Sequence, residues 1–307
     1  MKMKQAITNN RIYGIALVVT CSLAATLKAQ DIYVSTQGNN AVGEYTISGL
    51  PVNADLISGL NYPQGMAILG NNLLVLNSVP YDNTGGSVGE YTLSGTTVNA
   101  SFISGLDNPD NILISGSDLF LASFNGGISE YTTSGTPVNT ALISGISHPQ
   151  GMAISGNDLF VAIQGSGTVG EYTTSGTPVN TSLISGFTTP YGMAISGGDL
   201  FVGDYDAGTI GEYTLSGTPI NANLISGLNH PQGIAIFGND VFVVNTGSDT
   251  VGEYTLSGTP VNTALISGLN SPYGITITPE PSVYVLFGIG LAGLILCYRR
   301  NRKVARV

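Results

Sequence analysis

Six glutamates recur at one place in the chain, Glu44, Glu90, Glu130, Glu171, Glu212 and Glu253, each followed by Tyr-Thr, at spacings of 46, 40, 41, 41 and 41 residues. Carboxylates in such numbers could bind cations or act as acid and base, provided that they converge. On a strand each Glu shares a face with the neighbouring Val or Ile rather than with the adjacent Tyr. A strand away from a ring's axis would spread them one per repeat. The expectation is therefore structural: the glutamates accept hydrogen bonds from nearby Thr, Ser and amide groups, and the tyrosines from Tyr45 to Tyr254 pack between repeats.

A second set has better prospects of converging. Equivalent positions after a proline carry Gln64, Asp110, Gln150, Tyr191, Gln232 and Tyr273, and a second loop set carries Asn77, Asn125, Gln164, Asp204, Asp206 and Asn245. Carboxylate and amide oxygens are the hard ligands that Ca²⁺ takes. Tyr62, Tyr81, Tyr191, Tyr205 and Tyr273 are loop aromatics that could serve as platforms for a sugar ring. Nucleophilic chemistry has little to use. Cys21 and Cys297 lie in apolar terminal segments, the histidines His148 and His230 occupy equivalent turn positions before Pro149 and Pro231, and no Gly-x-Ser-x-Gly elbow sits on a strand-to-helix turn.

Charge placement narrows the partners. All nine basic residues lie at the ends, from Lys2 to Lys28 and from Arg299 to Arg306, whereas eighteen of the nineteen carboxylates fall between Asp31 and Glu253. Nucleic acid is excluded, because holding phosphates needs Lys or Arg. Cations and neutral glycans are electrostatically acceptable, and an acidic surface also serves solubility.

The elements that must position these residues follow from the period. A Ser-Gly…Pro-x-Gly-Met-Ala-Ile block, a Leu-Phe-Val block and the Glu-Tyr-Thr block alternate through the body, separated by Gly, Asn, Asp, Ser and Pro turns, and 42 glycines with no tryptophan suit short strands. One repeat, such as 151–185, holds four strand-length segments, and a period near 41 residues with four strands predicts an all-β, six-bladed β-propeller over residues 30–278. The body opens on a second strand, Ile32–Val34, and ends on an orphan first strand, Tyr273–Ile277, which should close the ring. The second repeat carries about five extra residues within Asn77–Ser87, including Pro80, Tyr81 and Asp82, a place for a grafted function or a tolerated insertion.

The blade consensus, Pro-x-Gly-Ile/Met-Ala-Ile through Val-Gly-Glu-Tyr-Thr-x-Ser-Gly, resembles the NHL repeat over residues 31–277. It departs from that family in carrying Thr168, Thr209 or Thr250 where such blades commonly carry Arg. Any inherited RNA or charged-peptide role is thereby put in doubt. The mouth carboxylates and amides also resemble, in type and place, the axial metal site of lactonase-type propellers, which implies a bound cation such as Ca²⁺ and, as the alternative function, a Ca- or Zn-dependent lactonase or hydrolase built on Asp110, Asp204 and neighbouring amides.

The ends read as addresses. Residues 1–29 have a basic start, an apolar run and Leu27-Lys28-Ala29, the pattern of a cleavable Sec signal, with an uncleaved anchor as the alternative. Residues 279–307 have Pro279-Glu280-Pro281, an apolar run over 283–298 long enough for a short transmembrane helix, and an Arg-rich end. This order resembles the PEP-CTERM sorting signal of Gram-negative bacteria. The resemblance implies that an exosortase cuts near Pro279–Pro281 and that the protein reaches the cell surface or the exopolysaccharide matrix. The expected function is a non-enzymatic binding or scaffold module, with exopolysaccharide as the candidate ligand.

Overall fold

The computed structural model describes residues 30–79 and 85–279. The expected export signal, the middle of the insertion with Pro80, Tyr81 and Asp82, and the tail from Glu280 with its expected membrane helix lie outside the described residues. Among those described, no helix is long and apolar enough to cross a membrane.

The described chain forms six antiparallel four-stranded sheets, each running from an inner to an outer strand, so the fold is an all-β, six-bladed propeller. Five blades are contiguous in sequence. The first is composite: its inner strand, Pro272–Ile277, is the last of the described strands and pairs with Asp31–Thr36 in the register Ile32↔Ile277, Tyr33↔Thr276 and Val34↔Ile275. The backbone N–H of Asp31 donates to Thr278 Oγ1 at 2.9 Å, and that of Thr278 donates to the Asp31 carbonyl at 3.0 Å. Deeper in the clasp, Ser35 Oγ accepts from the Gly274 N–H at 2.8 Å and donates to the Gln64 carbonyl of the second blade at 2.7 Å.

The Glu-Tyr-Thr-x-Ser-Gly motif is the turn from third to outer strand. Thr46 Oγ1 accepts from the Leu50 N–H at 3.1 Å, the Thr46 N–H donates to the Leu50 carbonyl at 2.8 Å, and Gly49 takes φ +81°, open to glycine alone at little cost. The same pair of bonds recurs at Thr92, Thr132, Thr173, Thr214 and Thr255. The outer strands are exposed edges. Each carries an Asn whose Oδ1 accepts the N–H two residues on, Asn53 to Asp55 through Asn262 to Ala264, which satisfies a bulged amide that the neighbouring strand does not reach.

The core lies between blades. Phe120, Ala122 and Ile128 of the third blade pack with Met152, Leu159, Val161 and Tyr172 of the fourth, and five equivalent clusters complete the circle. The tyrosines after each glutamate are buried in these wedges, as the repeat predicts. At the axis the inner strands nearly touch: a Cβ on Gly192 would collide with the Gln232 carbonyl oxygen, and one on Gly151 with the Tyr191 carbonyl oxygen. The Pro-x-Gly glycines therefore let six strands meet at the channel.

Candidate functional site at the channel mouth

The loop from each outer strand to the next inner strand ends in a left-handed residue just before the proline. Tyr62, Asn108, His148, His230 and Ser271 have φ between 45° and 54°, and only in the fifth blade does Thr189 avoid it. L-residues adopt this region at a cost, so five strained turns of one kind mark a geometry the ring holds in place. The proline then starts the inner strand, and the residue after it lines the channel.

Six of the residues singled out by the repeat come together there. Asp110, Gln150, Tyr191, Gln232 and Tyr273 line a narrow chamber of 160 Å³ floored by glycine backbone and by Met66, Met152 and Met193. Gln64, Asp110, Tyr191, Gln232 and Tyr273 also line a wider outer chamber of 590 Å³, joined by Tyr62, Phe124, Asn125 and Tyr205. Between the chambers the Tyr273 hydroxyl donates to the Asp110 carboxylate across the axis, and the Tyr191 ring stands edge-on to Tyr273 at 6.4 Å and 75°.

The amides are held from behind. Gln150 Nε2 donates to Gln164 Oε1 at 3.1 Å, Gln37 Nε2 to Gln64 Oε1 at 3.1 Å, and the Thr246 hydroxyl lies 2.5 Å from Gln232 Oε1. Gln150 is 2% exposed and its Oε1 is buried without a hydrogen-bond partner. Burial pushes the Asp110 carboxyl up to about 7, against the hydrogen bonds from Tyr273 and Gln150 that favour its charged form. Burial first, then the Asp110 carboxylate, raises both the Tyr191 and the Tyr273 phenols.

Besides Gln164, which backs Gln150, four other candidates do not reach the mouth's chambers. Asp204 spends its carboxylate on the loop entering its own blade, accepting from the backbone N–H of Thr188 at 2.7 Å and of Thr189 at 2.9 Å. Asn77 does the same for the Asn61 N–H at 3.2 Å. Asn245 borders a separate cleft with Leu228 and Asn229, and the exposed Asp206 takes the Thr189 hydroxyl. The first three end their second strands opposite the inner-strand proline, in the pairs Pro63↔Asn77, Pro190↔Asp204 and Pro231↔Asn245, and turn to the incoming loop.

Sequence reasoning missed Gln37, Asn108, Phe124, Thr246 and Ser271, which complete the mouth. Their signal was positional: each immediately precedes a proline or follows the second strand. It also missed the role of the histidines. His148 stacks on Phe124 at 3.8 Å and His230 on Tyr205 at 4.4 Å, joining neighbouring blades at the rim. The six glutamates stay apart around the ring. The Tyr33 hydroxyl donates to Glu44 at 3.1 Å and the Asn72 amide to Glu90 at 2.7 Å. Glu130, Glu171, Glu212 and Glu253 are raised by burial and then by Asp118, Asp158, Asp199 and Asp240 respectively.

The mouth does not fit calcium. Ca²⁺ takes roughly six to eight oxygens and usually several carboxylates. Among the described residues Asp110 is the one carboxylate lining either chamber, and no group of three His, Cys, Asp or Glu stands together. The arrangement offers instead aromatic faces, amides and one buried acid where the two chambers meet.

Residues 278–301 match the PEP-CTERM protein-sorting motif. No curated protein sequence matches the chain. Among solved structures, a chain of a nidogen/laminin complex aligns with a TM-score of 0.68 at 16% identity, covering 82% of this chain and 99% of that one. A functionally unknown protein from Desulfotomaculum acetoxidans DSM 771 aligns with a TM-score of 0.57 at 17% identity, covering 82% and 86%. At these identities the likeness is one of fold alone.

Proposed function

We propose that the chain is exported through Sec, held by residues 283–298 in the inner membrane, cut by an exosortase near Pro279–Pro281, and displayed on the surface or in the extracellular matrix of a Gram-negative bacterium. There its NHL-like propeller binds exopolysaccharide at the channel mouth. The PEP-CTERM motif by itself implies an exosortase-sorted surface protein, and a closed, rigid ring fits a binding or scaffold module.

The observation that carries the sorting half is where the motif begins. It starts at Thr278, the residue whose hydrogen bonds to Asp31 finish the clasp, so a cut just beyond it leaves the ring whole. The binding half rests on the aromatic funnel and on a body with no Lys or Arg, which suits a glycan and repels nucleic acid.

Replacing Pro279, Glu280 and Pro281 together by alanine should leave the full-length chain in the membrane fraction and remove it from the surface accessible to added protease. Unchanged surface display would refute the sorting half. Tyr191→Ala combined with Tyr273→Ala should release the displayed protein from matrix preparations, and unchanged retention would refute the binding half.

A further inference from the structure

Asp110 poses a problem that its own chain does not solve. A carboxylate in a site this buried is costly to ionise unless a positive charge compensates it. The body from residue 30 to 279 contains eighteen carboxylates and no Lys or Arg, and its two histidines, His148 and His230, stack at the rim and line neither chamber with Asp110. Tyr273 and Gln150 supply hydrogen bonds but no charge. Burial keeps the group protonated up to about pH 7, and a positive charge brought from outside would hold it ionised there.

The walls specify what kind. A divalent metal would find one carboxylate. An organic ammonium would find aromatic faces, which attract cations through the negative face of the ring and do so more strongly where water is excluded. Tyr191 and Tyr273 meet at 75°, Tyr205 leans over Tyr191 at 5.1 Å and 33°, and the three line the outer chamber above Asp110. The funnel ends at the Tyr273–Asp110 contact, so a polymer would enter by an end or a side branch rather than thread through. The eighteen carboxylates of the body add a long-range field that draws cations toward it.

We propose that the channel mouth recognises a protonated amino group on a sugar: a glycan unit bearing a free ammonium, its charge set against Asp110 and its ring against Tyr191 and Tyr205. This rests on the glycan-binding reading above and names the sugar class within it. No bond is made or broken, and the selectivity lies in the substituent at one ring carbon.

The test is a calorimetric titration of the full-length protein in mild detergent at pH 7 with three β-1,4-linked trisaccharides differing only at C2: glucosamine, N-acetylglucosamine and glucose trimers. The glucosamine trimer should bind about tenfold or more tighter than the other two, as a desolvated cation–π and charge contact provides. Asp110→Asn keeps the shape and the other seventeen carboxylates of the body, and it should reduce that preference to about threefold or less, on the same scale. Tyr205→Leu, a change at the rim that removes a face for the sugar ring, should weaken all three trimers and leave the preference for glucosamine in place. Equal binding of all three trimers would overturn this inference and leave the glycan reading standing. Binding of none would overturn both. An Asp110→Asn variant that still binds the glucosamine trimer as the native chain does would reduce the attraction to a general effect of an acidic surface and overturn the inference. Displacement of the trimer by millimolar CaCl₂ at constant ionic strength would overturn it in favour of a metal.

Discussion

The hydroxyl of Tyr273 donates to the carboxylate of Asp110 across the channel, joining the inner strands of the first and third blades although 163 residues separate the two in the chain. The contact divides the funnel into two chambers. Its donor arrives on the closing strand, so the floor of the mouth is complete only when the ring is.

The burial of Asp110 predicts how stability varies with pH. Its folded-state carboxyl is raised from 3.8 to about 7, so the folded protein keeps the proton over a range where the unfolded chain has lost it. Stability from this group is therefore full below about pH 4 and falls as pH rises toward 7, by up to roughly 1.4 kcal/mol per pH unit. Asp110→Asn removes the ionisation and keeps an acceptor for Tyr273. Thermal melts should show the variant more stable than the native protein at pH 8 and without that advantage at pH 4. Parallel pH profiles for the two proteins would show that Asp110 ionises freely.

Ser35 ties three segments with one buried oxygen. Ser35→Ala leaves the Gly274 N–H and the Gln64 carbonyl without their partner, and the loss should amount to about 1–3 kcal/mol in a denaturant titration. Thr46→Ala, whose lost side-chain bond is exposed, should cost less than Ser35→Ala in the same titration.

Gly192→Ala places a methyl against the Gln232 carbonyl oxygen where two inner strands meet. Overpacking of this kind costs roughly 1–3 kcal/mol or more, because backbone rather than a flexible side chain must yield. Gly192 does not lie at positive φ, so its cost is crowding alone, whereas Gly186→Ala, in open space but at φ +95°, carries a cost that is conformational alone. If Gly192→Ala melted like the native protein, crowding at the axis would not be what requires glycine there.

Calcium should leave the protein unmoved. With one carboxylate at the mouth, melts in EDTA and in millimolar Ca²⁺ should coincide. A rise of about 5–10 °C would instead reveal a specific cation site, since saturation at about a hundred times the dissociation constant adds roughly 2.7 kcal/mol.

Much of the ring was legible because each motif is a local solution repeated six times. The Thr and Gly of the Glu-Tyr-Thr-x-Ser-Gly turn make their bonds within five residues, so the sequence displays the turn directly. The orphan segment at 273–277 betrayed the clasp because a blade one strand short must borrow one. The mouth was half legible. Asp110 and Asp204 are the same residue type in comparable loops, yet one follows a proline and faces the axis while the other ends a second strand and caps the incoming loop. Direction of that kind depends on strand register, which spacing alone does not encode. The His148–Phe124 and His230–Tyr205 stacks join adjacent blades at the same two repeat positions, but the other blades carry no such aromatic pair there, so the repeat alone does not announce them.

The composite blade also sets an order of events. A chain made from its N-terminus can stack its five contiguous blades as they emerge, but Asp31–Thr36 must wait for a partner some 240 residues later. Until then the nascent ring keeps two unsatisfied borders, one on the strand that begins the body and one at the far end of the array. The sorting motif begins where this wait ends. Completion of the body and appearance of its address are therefore successive moments of synthesis, and a chain that stops short of Pro272 lacks both.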